Sequence, residues 1–306
     1  MLPYRTARLF SIKDSGRWIK NLLGTLSHNQ SMKTPRLMAV LAHPDDESLG
    51  VGGTLAKYAS EGVDVFLLTA TRGDGGRYYG HPPGDPQHPG SSSLAHIREA
   101  ELRAAASVLG IREVSLLDYK DAHLDRANTR EVISAIVTHL RRVQPDVVVT
   151  FGPDGAYGHP DHIAISQFTA AAITAAAFPE FPDSGNGVAR PHAVSKFYYI
   201  AWPNSTWNAY QAAFRKLVST VDGVERQAVP WPEWEITSVI DTRSNWSTVW
   251  QAISCHESQI SAYEALKHLS AEDHEALWGQ QSFYRVFSIV NGGRTRETDL
   301  LEGIRP

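Results

Sequence analysis

The chain has 306 residues, enough for one large domain, and its apolar fraction of 42% is ordinary for a globular protein. Its 29 Lys and Arg are outnumbered by 33 Asp and Glu, so it has no basic field to attract nucleic acid or an anionic membrane surface. The single cysteine, Cys255, excludes an internal disulfide and a CxxC metal or redox site, and points to a reducing, cytoplasmic home. Cys255 adjoins His256, but neighbours in sequence rarely face each other productively, so it is read as an inert thiol.

The opening stretch, MLPYRTARLFSIKDSGRWIKNLLGTLSHNQ, is basic and interrupted by polar residues, unlike the apolar core of a secretory signal. No run approaches the roughly 18 apolar residues of a membrane span. Residues 1–34 are read as a flexible N-terminal extension and 35–306 as a single domain. RLMAVLA (36–42) is a short apolar run suited to a buried parallel strand, and SLGVGGTLAKYASEG after it reads as a helix. The unit then repeats. VDVFLLTA (63–70) is a second strand, LAHIREAELRAAASVLG (94–110) a helix closed by Gly110, and VSLLD (114–118) a third strand. NTREVISAIVTHLRRVQ (128–144) is an amphipathic helix with an Asn cap, and DVVVTF (146–151) is a fourth strand. This alternation predicts an α/β fold, a doubly wound and mostly parallel sheet.

The connection over 71–93 is long and rich in Gly and Pro, and is read as a lid. Past about residue 180 the pattern loosens into an irregular C-terminal elaboration that completes the substrate site. There FPDSGNGVARP reads as a loop, KFYYIAW and SFYRVFSIV as strands, and SNWSTVWQAISCHESQISAYEAL as helical. The tryptophans concentrated after residue 200 are assigned to the core rather than to a sugar-stacking wall.

Doubly wound sheets bind ligands beyond the carboxyl ends of their strands, and the polar motifs obey this rule. HPDDE follows the first strand, TRGDGGRYYG the second, DYKDAHLD the third and GPDGAYGHPDH the fourth. His43 and Asp46 sit three apart across a proline-stiffened turn, a spacing that lets both reach one ion while Asp45 points elsewhere. Pro160 suits the first position of a helix, so His162 falls in its first turn, where the dipole favours the neutral imidazole that a metal requires, and His159 lies near the cap. Two histidines and one aspartate leave a coordination position for water. The same set is the facial triad of non-haem iron oxygenases, but the extra carboxylate Asp45, placed to take a proton from water, favours hydrolysis.

AHPDDESLGVGGTLA together with YGHPDHIA resembles the LmbE-like, or PIG-L, N-acetylglucosaminyl deacetylases. The likeness runs through TRGDGG, REAELRAAASVLG and CHESQ, roughly residues 36 to 290. The resemblance implies a Rossmann-like sheet with helices on both faces. It also implies a zinc ion, or Fe2+ or another divalent metal, and cleavage of the acetamide of a small-molecule amino-sugar conjugate to acetate and a free amine. Carried over residue by residue, it implies that His43, Asp46 and His162 bind metal and that Asp45 is the general base. His159 assists the oxyanion or the leaving amine, and Tyr157 helps to polarise the acyl carbonyl. Arg98, Asp121 and Arg72 are implied as substrate contacts, and Asp74 stands where many members carry glutamate. The rival readings are an iron-dependent oxygenase and a non-catalytic sugar or nucleotide binder. GVGG lends the latter slight support, although no GxGxxG or GK[ST] is complete.

Overall fold

Strand β1 (Arg36–Leu41) is buried along nearly its whole length and is an interior strand of a seven-stranded sheet. The computed structural model describes residues 33–182, 190–214, 218–221, 224–227, 229–262, 264–293 and 295–305. The N-terminal extension expected over 1–34 therefore falls outside the described residues except for its last two, as does most of the loop expected at 181–191. Residues from Pro35 onward form one compact unit, and every element below belongs to it.

The expected alternation is present: α1 (Asp46–Ser60), β2 (Asp64–Thr71), α2 (Ser91–Val108), β3 (Glu113–Tyr119), α3 (Thr129–Val143), β4 (Val147–Phe151), α4 (Pro160–Ala176) and β5 (Lys196–Ile200). Asn128 caps α3 as read, its side chain accepting the backbone N–H groups of Arg130 and Glu131. Beyond β5 come α5 (Asn204–Phe214), the hairpin strands β6 (Ser219–Val221) and β7 (Val224–Arg226), β8 (Ser238–Asp241), α6 (Trp246–Ser254), α7 (Ala271–Trp278) and β9 (Gln280–Ser288). The sheet order is β3-β2-β1-β4-β5-β9-β8; β1 to β5 are parallel, while β9 runs antiparallel to both its neighbours. Right-handed crossovers put α1 and α2 on one face and α3 and α4 on the other. The helix packing agrees, with α3 against α4 and with α1 and α2 against α6.

Chain direction across the sheet reverses between β1 and β4, the switch point at which such sheets open a crevice. The loops that leave these two strands carry HPDD and GPDGAYGHPDH. GVGG lies inside α1, not in a phosphate-binding loop. A Cβ on Gly53 would come within 2.9 Å of Thr242, and one on Gly52 within 3.4 Å of Val249, so these glycines let α1 approach the C-terminal half closely.

The helix expected across CHESQ stops at Ser254, and 3₁₀ turns follow at Glu257–Ala262 and Glu264–His268. The reason is polar: His256 turns inward to the buried carboxylate of Glu47, and Ser258 to that of Glu101, instead of continuing the helical path. Of the late tryptophans, Trp207 and Trp278 are buried and Trp202 stacks on Tyr210 at 4.4 Å, whereas Trp234 is 81% exposed. The end of the chain is pinned by Glu297, only 2% exposed. It accepts from Lys196, Tyr198, Ser238, Arg285 and Asn291 at 2.7 to 2.8 Å. No described helix is long and apolar enough to cross a membrane.

Candidate metal centre

His43 stands two residues past β1, and Asp46 opens α1 directly after it. Asp46 Oδ2 accepts the backbone N–H of His43 at 2.7 Å and of Ala42 at 3.1 Å, which turns Oδ1 toward His162 Nε2, 3.2 Å away. Pro160 is the first residue of α4, as expected, and His162 lies in its first turn with its ring stacked on Phe151 at 3.9 Å. His43 Nδ1 is 3.2 Å from His162 Nε2 and 3.6 Å from Asp46 Oδ2. Bonds of about 2.1 Å to a tetrahedral ion separate its ligands by about 3.4 Å, close to the 3.2 Å between the two imidazole nitrogens, while Asp46 meets His162 through Oδ1 and His43 through Oδ2.

His43 Nε2 faces Asp121 Oδ1 at 3.0 Å and Asp161 Oδ2 at 3.2 Å. A carboxylate behind the ring fixes the Nε2–H tautomer and leaves the Nδ1 lone pair to a metal. Asp161 is itself held by the N–H groups of Ala122 and Leu124, and Asp121 by that of Gly75, so the loops after β2 and β3 converge on the back of His43. Asp74 ties those two loops together by accepting the Asp121 N–H at 3.1 Å.

Charge supplies the test of fit. Asp45, Asp46, Asp121 and Asp161 gather around His43, with Arg98 as the guanidinium in contact. Burial opposes protonation of His43, but Asp121 first, and then Asp161 and Asp46, outweigh it and raise its pKa well above the usual imidazole range. Burial likewise opposes ionisation of Asp46, yet His162 and His43 hold its carboxyl well below the usual value. The pocket thus demands a positive charge, which a proton on His43 supplies at the cost of a donor and a divalent cation supplies with both imidazoles neutral. Two clusters here have metal-binding spacing, His43 with His159 and His162, and His43 with Asp121 and Asp161. The residues present fit a metal ion.

Asp45 is the N-cap residue of α1 and sits in the left-handed region, φ 101° and ψ −24°, which directs its carboxylate to Arg98 at 3.0 Å. His159 caps α4 by accepting the Asp161 N–H on Nδ1, and so carries its proton on Nε2. Burial, reinforced by His162 and His43, lowers its pKa to about 3. Tyr157 follows Ala156, itself at φ 63°, and its ring meets that of His162 edge-on at 5.2 Å; burial, then Asp46, raises the pKa of its phenol.

Arg98 is nearly buried and also donates to the carbonyls of Pro44 and Gly73, while Asp121 engages His43 and Gly75. Both therefore stand beside the proposed ligands. Arg72 is not in this cluster: it pairs with Glu99 and Asp118 on the outer rim, in a cavity of about 380 Å³ shared with Asp74, Ser91 and Lys120. Sequence reasoning passed over Asp161 inside GHPDH, and Glu47 and His256, a fully buried pair 2.8 Å apart. A signal existed for Glu47: it is a charged residue in the first turn of a helix that must pack its whole length into the core.

The family profile for PIG-L, GlcNAc-PI de-N-acetylase, matches residues 38–173. A 1D-myo-inositol 2-acetamido-2-deoxy-alpha-D-glucopyranoside deacetylase of Rhodococcus jostii is 34% identical over 298 residues, covering 89% of this chain and 99% of that protein. Its counterpart in Kineococcus radiotolerans is 33% identical over 312 residues, covering 89% and 83%. Among solved structures, the N,N'-diacetylchitobiose deacetylase of Pyrococcus horikoshii superposes with a TM-score of 0.61 at 19% identity, over 92% of this chain and 95% of that one. The chain belongs to the PIG-L, or LmbE-like, deacetylase family. The fold alone does not name a reaction, because the 4-carboxy-2-hydroxymuconate hydratase GalB of Pseudomonas putida shares it at a TM-score of 0.63 and 18% identity, over 85% and 99%.

Proposed function

We propose that this protein is a zinc-dependent hydrolase that removes the N-acetyl group from an N-acetylglucosamine conjugate, with a GlcNAc-inositol as the first candidate substrate. The carrying observation is the convergence of the His43, Asp46 and His162 side chains, 3.2 to 3.6 Å apart through one or other Asp46 oxygen and next to Asp45, in a chain whose relatives are named for this reaction. His43, Asp46 and His162 would hold the ion. When bound, zinc acidifies water and polarises the acyl oxygen.

The remaining steps belong to the protein. Asp45, outside the ligand set, accepts the proton of the attacking water, while Arg98 holds that carboxylate in place. Tyr157 O–H and His159 Nε2–H donate to the oxygen on which charge develops, and burial keeps the phenol protonated for this task. Return of the water-derived proton from Asp45 to nitrogen releases the free amine, with acetate as the second product, while His159 keeps its Nε2–H as a hydrogen-bond donor. Arg98 and Asp121 line the sugar side, and the rim cavity around Arg72 receives the aglycone. The single domain spans 35–306, its part beyond about 180 completes the substrate site, the 71–93 connection acts as a lid, and the cytoplasm is the expected compartment.

Metal-loaded protein should release acetate from a panel of N-acetylglucosamine conjugates, GlcNAc-inositol included, and should do so with zinc in the absence of oxygen. Bound metal without acetate from any member of the panel refutes the deacetylase reading. A strict need for oxygen and a reductant would instead mark an iron oxygenase.

A further inference from the structure

After α6 the chain turns inward, and residues 255–259 touch three parts of the site at once. His256 Nε2 donates to Glu47 Oε1 at 2.8 Å. Glu47 Oε2 in turn accepts the backbone N–H of Asp45 at 3.0 Å, and Ser48 donates its hydroxyl to Oε1. Ser258 accepts the Tyr79 N–H at 2.7 Å and Gln259 donates to the Arg77 carbonyl at 2.7 Å, so the same segment holds the connection between β2 and α2. Ser258 also donates its N–H and hydroxyl to Glu101. Glu101 is one helical turn from Arg98, the residue that grips the Asp45 carboxylate.

These bonds converge on one strained residue. A side-chain-bearing residue keeps a φ of 101° only where its surroundings overdetermine it. Asp45 is held at its N–H by Glu47, at its carbonyl by Ser48 and Leu49, and at its carboxylate by Arg98. Without the anchored Glu47, the peptide before Asp45 loses the acceptor that fixes its orientation, and the carboxylate swings with it.

We propose that His256 is a positioning residue for Asp45, acting through Glu47, so that the placement of the base depends on a segment 209 residues beyond Glu47. The inference rests on the reading of Asp45 as general base. His256 reacts with nothing: it orients Glu47, Glu47 fixes the Asp45 peptide, and the peptide aims the carboxylate.

A double-mutant cycle on the full-length, metal-loaded protein tests this. His256→Ala should lower kcat by roughly ten- to a hundredfold, the cost of a small misplacement, with KM and bound metal unchanged. In an Asp45→Asn background the same change should cost less than about twofold, because the group it positions is already gone. His256→Gln, whose amide N–H reaches toward Glu47, should recover most of the rate. Crystal structures of the wild type and His256→Ala give a readout without turnover, in which Asp45 leaves the left-handed region in the variant. An undiminished kcat, equal fold-losses in both backgrounds, or an Asp45 φ unchanged in the variant overturns the proposal. Should His256→Ala fail to fold, His256→Asn, whose amide falls short of Glu47, enters the same cycle. Wild-type protein inactive on every conjugate refutes the deacetylase reading instead, and the φ of Asp45 in the variant then decides this inference alone.

Discussion

Asp45 and Asp46 are adjacent and chemically identical, yet backbone geometry gives them different partners. Asp46, in the first helical turn, offers one oxygen to two backbone N–H groups and the other to His162, whereas Asp45, in the left-handed cap, faces Arg98. Asp45→Asn should therefore keep a full complement of metal, measured by elemental analysis, while kcat falls by roughly two to four orders of magnitude. His43→Ala should lose the metal. Asp161→Asn, which removes a carboxylate from behind His43, should weaken metal affinity about 10- to 100-fold in a competition assay with a chelator, and unchanged affinity would deny it that orienting part. That the three proposed ligands come together was legible in sequence because a doubly wound fold tells which loops meet, and HPDD and GHPDH sit beyond the ends of the two strands that flank the switch point. Glu47 with His256 was not legible, because nothing in either local motif says that its partner lies 209 residues away.

Helices and strands were readable wherever burial alone shapes the pattern. β1 and β4 are near-continuous apolar runs because both their faces are covered, and the Asn128 cap announces α3. The antiparallel pairing of β9 with β5 and β8 was not readable, since strand direction depends on a partner and not on composition. GVGG was ambiguous for a related reason: glycine serves both a phosphate loop and a close helix contact. Because a Cβ on Gly53 would meet Thr242 at 2.9 Å, Gly53→Val should cost about 1–3 kcal/mol of stability by urea denaturation. No loss would mean that α1 and the 242 region have room to separate.

Across the whole molecule, Glu297 binds β5, β8, β9 and the chain end into one unit. Burial disfavours its ionised form, but Lys196, Asn291, Ser238 and Tyr198 outweigh that and bring its pKa down from 4.5 to about 2. A lowered carboxyl stabilises the fold fully above its ordinary value, and the contribution disappears as pH falls from 4.5 toward 2. The linkage amounts to about 3 kcal/mol. Denaturation curves should thus show wild-type stability dropping across this window, with a shallower drop in Glu297→Gln. At neutral pH that variant should already be weaker by about 3–5 kcal/mol, because Lys196 is left buried without its counter-charge. A variant with the wild-type acid profile would assign the drop to other carboxylates.

The position of β9 and β8 at the end of the strand order also has a consequence during synthesis. All the proposed metal ligands have left the ribosome well before Gln280, the first residue of β9. Until β9 arrives, β5 presents a row of unpaired amides and carbonyls, an invitation to strand addition from another nascent polypeptide. Chains that terminate early should therefore aggregate through that bare border even though the half that carries the proposed ligands has already been made.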